Sequence, residues 1–422
     1  MIAFFVIFFV LILLNVPIVY CMLIPSVYYL LSNNIGLTVV AQRLMAGVDS
    51  FPLLAVPLFI LAGQLMNGTG ITRRIFNFCD KLVGHCTGGL AHANIIASVI
   101  FAGMSGSAIA DAGGLGAIEV QAMKENGYDE DFSLAITGAS SIIGPIIPPS
   151  VPAIVFAVSA GVSVGRLFIA GVIPGLLMAI ALGILCYFMC RKKPQLKKPR
   201  ASMKELWRAF REAFFPLMTP VIILYGTFSG IFTPTETSGI TVLYCIILGI
   251  ATKDLKIKEL PKLLAKTART TVSVTVLIAA SGLFGYVLTR SQFPQKMSVF
   301  FLNATSNKYV MLLMINLLLL IVGTFMDNSA AIPILAPILM PIAISYGIDP
   351  LHFGLIFILN LMIGLLTPPV GLVLYTLTSI SGVPFEKISK SMLPFIGVLI
   401  CVLLIITFVP PLATWLPNLV LG

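Results

Sequence analysis

The sequence predicts an all-α polytopic membrane protein built from two inverted repeats, and three observations carry that prediction. First, 58% of the 422 residues are hydrophobic and 10% charged, with mean hydropathy +1.05. A soluble domain carries roughly 25% charge and could not cover its surface with so little. Second, runs such as Ile2 to Leu14, Leu167 to Cys190, Phe214 to Ile231, Ile240 to Ala251, Met311 to Met326 and Phe395 to Phe408 are long and almost uncharged. Apolarity without period-two alternation argues helices, not an outer-membrane barrel. Third, Gly103, Gly144, Pro148 and Pro149 recur 220 residues later as Gly323, Gly364, Pro368 and Pro369. The third Pro-Pro doublet, Pro410-Pro411, lacks the preceding Gly, so the echo is more than abundance of Gly and Pro. Paired interruptions of apolar helices are the best sequence pointer to a transport site at mid-membrane.

The first repeat covers residues 1–190. Residues 1–31 break near Asn15 and Pro17 and are read as two short spans with the N-terminus outside; one long tilted helix would put it inside. With a helix at 51–66 they make the scaffold spans of 1–66. In ITRRIFNFCDKLVGH, Arg73, Arg74 and Lys81 alternate with Ile71, Ile75, Phe76 and Leu82, the pattern of a helix lying along the interface. Residues 88–123 hold a small-residue centre, Gly103 to Gly116, and read as a re-entrant hairpin. Residues 132–162 form a helix broken around Gly144 to Pro152, and 167–190 a span.

A basic connection, 191–211, begins with RKKPQLKKPR. The second repeat, 212–422, has scaffold spans within 213–252, an amphipathic arm at 257–270 and a span at 271–289. A second hairpin follows at 309–346, with its tip near Thr324 to Ala331, then a broken helix at 352–380 and a last span at 391–414. The net charge of +10 sits mainly in the connections, so the positive-inside rule explains it better than nucleic-acid binding. Both 191–211 and Lys253 to Lys266 are therefore expected in the cytoplasm. Counting spans from there opens the first hairpin inward and the second outward, which makes the repeats inverted. The seven cysteines show no C-x-x-C pair and read as small core residues. The N-terminal run lacks a basic n-region and a small-residue cleavage site, and reads as a retained helix.

A backbone break at membrane depth survives only where protein or a water-filled cavity satisfies the freed groups. Freed carbonyls are hard-cation ligands. Ser105 and Ser107 can add hydroxyls to carbonyls around Gly144 and Ile147, and Thr324, Asp327, Thr367 and Thr376 can do so in the second half. Oxygen-only ligation suits sodium; the alternative is that these small residues only let helices pack closely. Intramembrane carboxylates are expensive and mostly functional or paired. Asp327 is the strongest such candidate, Asp111 reads equally as a cap or a site residue, and Glu236 in TPTETSG reads as a helix cap at the interface. Glu125, Asp129, Glu130 and Asp131 read as a solvated connection. Gly103-Met104-Ser105-Gly106 also matches the GxSG of an intramembrane serine hydrolase, which needs a histidine base; His85, His92 and His352 are the only histidines, none deep in a predicted span. No P-loop, HExxH or aspartate-rich motif is present, so an enzyme or an ATP-driven pump is not expected.

Several motifs, in order along nearly the whole chain, resemble the large membrane subunit (M, or DctM-like) of TRAP transporters, the tripartite ATP-independent periplasmic transporters. They are SFPLLAVPLFILAGQLMN, SGSAIAD, GPIIPPS, LFIAGVIPG, GIFTPTE, MD at 326–327 and IGLLTPPVG. One departure is GGLG at 113–116, where a more Ala-rich run is expected. The resemblance implies an elevator-type ion transporter fold in the bacterial inner membrane. It also implies sodium symport of a small organic anion, a C4-dicarboxylate, sialic acid or other sugar acid. A periplasmic substrate-binding protein (P) would deliver the substrate, and a small four-helix membrane subunit (Q) would complete the permease. With no such four-helix extension ahead of residue 1, that subunit is expected as a separate chain. Carried over, Na+ would bind at Ser105, Ser107, Gly144, Ile147 and Pro149, and again at Gly323, Thr367 and Val370. Substrate would bind at Ser105, Gly106, Asp327, Asn328, Pro148 and Pro368. Because Ser105 and Ser107 fall opposite Phe325 and Asp327, the two ion sites should share backbone but not side chains.

Overall fold

The computed structural model describes residues 1–68, 70–192 and 196–421, without the side chains of residues 68, 105 and 304. Part of the 191–200 basic run and the side chain of Ser105 thus lie outside the described residues. All regular structure among the described residues is helical. In chain order the α-helices are α1 Ile2–Leu13, α2 Ile18–Ser32, α3 Thr38–Val48, α4 Ala55–Gly68, α5 Ile71–Val83, α6 Gly89–Ser105 and α7 Ala108–Gly113. Next come α8 Leu115–Glu125, α9 Glu130–Ser141, α10 Val151–Ala160, α11 Val164–Cys190, α12 Met203–Phe228, α13 Pro234–Ala251 and α14 Leu260–Arg290. The chain ends with α15 Phe293–Ala304, α16 Lys308–Phe325, α17 Asn328–Ser345, α18 Pro350–Gly364, α19 Leu372–Ser381, α20 Phe385–Phe408 and α21 Pro411–Leu421. Six described helices are long and apolar enough to cross a membrane, and α3 with the helical stretch from Phe51, bent by 62°, makes a seventh if counted as one span. The protein is a multi-pass membrane protein.

Local chemistry explains most boundaries. The break at Asn15 to Pro17 is present, and Phe4 meets Tyr29 at 6.4 Å between ring centroids, so α1 and α2 fold back on each other. Phe4, Phe8, Cys21 and Met22 then pack with Phe284 and Val287 of α14. Ser202 and Thr233 start α12 and α13 with reciprocal capping boxes to Glu205 and Glu236. Glu236 is therefore the helix cap expected for it.

Four boundaries differ from the sequence expectation. The capping box at Ser202 starts α12 at Met203, so residues 203–211 of the basic connection are helical. The arm at 257–270 and the span at 271–289 are one helix, because Pro261 sits in its first turn and no Gly or Pro follows until Gly282. The last span ends at Phe408, since Pro410 and Pro411 interrupt it and begin α21. The helix expected at 51–66 is a 3₁₀ turn, Phe51–Leu54, leading into α4. Two further helices, α3 and α15, were not anticipated.

The centre of the molecule is made by the broken helices. Every residue of α18 from Leu351 to Gly364 is buried, as are Ser133 to Ser141 of α9; a helix apolar all round belongs inside. The halves interlock there: α10 packs on α17, α7 on α19 and α9 on α20. Buried amides fix each hairpin arm to its broken helix. Asn94 donates to the Thr137 hydroxyl at 2.8 Å, and the Ser140 hydroxyl donates to Asn94 Oδ1 at 2.7 Å. In the second half Asn360 donates to Asn316 Oδ1 at 2.9 Å, and Asn316 donates to the Thr407 hydroxyl at 3.0 Å. Asn360→Leu should lower stability by about 1–2 kcal/mol, because Asn316 stays buried and loses a donor. Thermal unfolding in detergent would check this; an unchanged midpoint would mean the amide pair contributes nothing net.

Candidate functional site

The first hairpin turns at Gly106, whose φ of 59° puts it in the left-handed region where glycine is at ease. A Cβ there would lie 2.5 Å from the Pro149 carbonyl oxygen, so the tip rests directly on the break between α9 and α10. Ser107 caps α7, its hydroxyl accepting from the Ala110 N–H at 3.4 Å. Asp111, 2% exposed, places a carboxylate oxygen where a side chain at Gly144 would have to go. Ser150 closes the break: its hydroxyl donates to the Pro145 carbonyl and accepts from the Ala153 N–H at 3.1 Å, capping α10. Among the described residues, no backbone N–H reaches the carbonyls of Gly144, Ile147, Pro148 or Pro149.

The second tip is built on the same plan with other side chains. Asp327 caps α17, its carboxylate accepting from the Ser329 N–H at 2.8 Å. Gly371 donates its N–H to the Thr324 carbonyl at 3.4 Å, which joins this tip to the break between α18 and α19. The Thr367 hydroxyl donates to the Ile363 carbonyl at 2.8 Å, leaving its lone pairs for another partner. Gly323 and Gly364 meet backbone to backbone. Their first-half counterparts do not: a Cβ on Gly103 would meet Pro220 of α12 at 2.5 Å, and Gly144 faces Asp111. Equal spacing in the sequence thus serves two different contacts. The Pro148-Pro149 and Pro368-Pro369 peptide bonds are both cis.

One cavity of about 810 Å³ brings the two tips together. Gly106, Ser107, Asp327, Asn328 and Thr376 line it, with Gln64 and Asn67 of α4. Gly144, Ile147, Pro148 and Pro149 are buried outside its lining, and Gly323, Thr367, Pro368 and Val370 also lie outside it. The expected residues therefore separate into those facing the cavity and those forming the breaks that support the tips. Four lining residues, Lys266, Arg269, Thr270 and Ser273 of α14, were missed. Their signal was the spacing of three, four and seven, which makes one polar helix face. A second cavity, about 880 Å³, lies beside α5, where Arg74 pairs with Asp254 at 2.8 Å and Asp80 with Lys198 at 2.9 Å.

The donors at both breaks are hydroxyl, carboxylate and carbonyl oxygens, a set that fits a small hard cation. No cluster of three or more His, Cys, Asp or Glu capable of holding a metal occurs among the described residues. His352, 2% exposed, donates its Nε2–H to the Ile406 carbonyl at 2.8 Å, so the ring joins α18 to α20. It is committed to packing and does not serve as the base that a GxSG hydrolase would need.

Comparison with known proteins gives the following. The family model described as "Tripartite ATP-independent periplasmic transporter, DctM component" matches residues 5–412. The Vibrio cholerae sialic acid TRAP transporter large permease protein SiaM is 45% identical over 396 residues, covering 94% of this chain and 93% of that one. The Pseudomonas aeruginosa C4-dicarboxylate TRAP transporter large permease protein DctM is 37% identical over 379 residues, 90% and 89% of the two chains. Among solved structures, the Alcanivorax borkumensis YdaH transporter is similar in fold, with TM-score 0.65 and 16% identity over 92% of this chain and 90% of that one.

Proposed function

Because the chain belongs to the DctM component family of tripartite ATP-independent periplasmic transporters, we propose that it is the permease of a sodium-coupled importer of a small organic anion. It is a transporter permease component, not an enzyme, as its relatives are. The 45% identity to a sialic acid permease favours sialic acid as substrate, and a C4-dicarboxylate is the second candidate. A periplasmic binding protein would hand the anion over at the bacterial inner membrane, and a small membrane subunit would complete the scaffold.

The single observation that carries this reading is the meeting of two capped tips in one cavity, each resting on a Gly/Pro break. Helices α16 and α17 are long enough to span, yet Asp327 between them faces the same cavity as Ser107. A turn outside the membrane could not reach a site at mid-membrane, so both hairpins are read as re-entrant and the two halves as inverted. Sodium would sit at the carbonyls of Gly144, Ile147 and Pro149 with Ser105 and Ser107, and at the second break near Gly323, Thr367 and Val370. Neutralising these oxygens lets the anion bind beside them, near Gly106 and Asn328. The tips and broken helices would then move as one body against α1–α4 and α12–α14, an elevator.

Proteoliposomes holding the permease, its small subunit and its binding protein should accumulate labelled sialic acid only with sodium outside. Ser107→Ala or Thr367→Ala should raise the sodium concentration for half-maximal uptake several-fold. Uptake that proceeds equally in potassium would overturn the coupling.

A further inference from the structure

Lys266, expected from its charge only on the cytoplasmic side of the membrane, and Arg269, one helical turn on, both line the cavity between the two tips. Lys266, Arg269, Thr270 and Ser273 share one exposed face of α14, with the buried Val274 at its edge, while Thr267 and Ile278 are buried away from the cavity. Ser107 and Asp327 of the two tips line the same cavity. Among the described residues, neither Lys266 nor Arg269 has an acidic partner within 4.0 Å. Lys258 and Lys262 belong to the same arm but do not line the cavity. Topogenic charge alone requires basic residues on this arm, with no preference for the cavity face.

We propose that this face of α14 is a carboxylate-binding track on the static wall, used only while the tips face the cytoplasm. This deepens the transport reading above and rests on it. Arg269 offers a planar fork matched to a carboxylate, and Lys266 adds a point charge a helical turn away. In a cavity with low-dielectric walls such charges attract an anion well beyond contact distance. Asp327 and the oxygen-lined breaks hold the cations on one side, and α14 receives the anion on the other. When the tips move outward the track stays behind, so the anion loses this contact. The track therefore favours the loaded inward state and marks the exit side.

The test uses oriented proteoliposomes of the permease with its small subunit, the binding protein supplied at the outer face, and sialic acid and succinate as probes, with half-saturation measured from each face. Arg269→Gln should raise half-saturation at the cytoplasmic face at least tenfold and change that at the outer face, where the binding protein delivers, by less than twofold. Arg269→Lys should fall between, which shows that the charge and not the fold is at issue. Lys262→Gln should match wild type. An unchanged cytoplasmic value, an equal shift at both faces, or the same effect from Lys262→Gln would overturn the track. If the wild-type complex moves neither probe, the substrate reading fails and this inference with it.

Discussion

Gly364→Ala should abolish uptake, although it adds one methyl group. A Cβ at position 364 would fall 2.5 Å from the Gly323 Cα, and in return one at 323 would lie 3.2 Å from the Gly364 Cα. Backbone atoms cannot rotate out of the way as a side chain can, so α16 and α18 must separate. Separation strains the Asn360 to Asn316 bond at 2.9 Å and draws Thr324 away from Gly371. Overpacking of this kind costs about 1–3 kcal/mol, a modest part of the roughly 5–15 kcal/mol of a typical fold. The expected outcome is a folded protein with a displaced second tip: assembly retained, thermal midpoint a few degrees lower, uptake at background. Gly397→Ala is the control, since nothing lies within 4 Å of its Cβ position. Wild-type uptake in Gly364→Ala would show that the close approach is incidental.

Asp327→Asn should reduce sodium-driven uptake by an order of magnitude or more without unfolding the tip. The carboxylate has two roles that this substitution separates. As the N-cap of α17 it accepts from the Ser329 N–H at 2.8 Å, and asparagine caps a helix about as well. As a charge in the cavity, asparagine cannot replace it. Asp327→Ala removes both and should lose about 1 kcal/mol of helix stability in addition. The measurement is uptake against sodium concentration, with thermal unfolding in parallel. If Asp327→Asn keeps the wild-type sodium curve, the carboxylate is only a cap.

The breaks were legible because Gly and Pro act locally: Pro148-Pro149 and Pro368-Pro369 interrupt apolar helices wherever those helices pack. Glu236 was legible for the same reason, its cap needing only Thr233 three residues before. Contacts set by distant parts of the chain were not. Nothing near Gly103 announces Pro220, so the recurrence of Gly103 and Gly144 as Gly323 and Gly364 does not reveal that the fold uses the two pairs for different contacts. Lys266 was assigned a side of the membrane from its charge and Arg269 was not singled out, and charge does not say which helix face meets a cavity. The short helices α3 and α15 were missed because neither is apolar enough nor long enough to stand out from its neighbours.

The interlocking of α7 with α19, of α9 with α20 and of α10 with α17 also bears on how far the chain can be divided. A half-length chain would leave each of those faces bare and could not bring a second tip to its own. The smallest unit able to assemble such a cavity is therefore the two halves together. A transporter of this kind cannot be shortened by discarding either half.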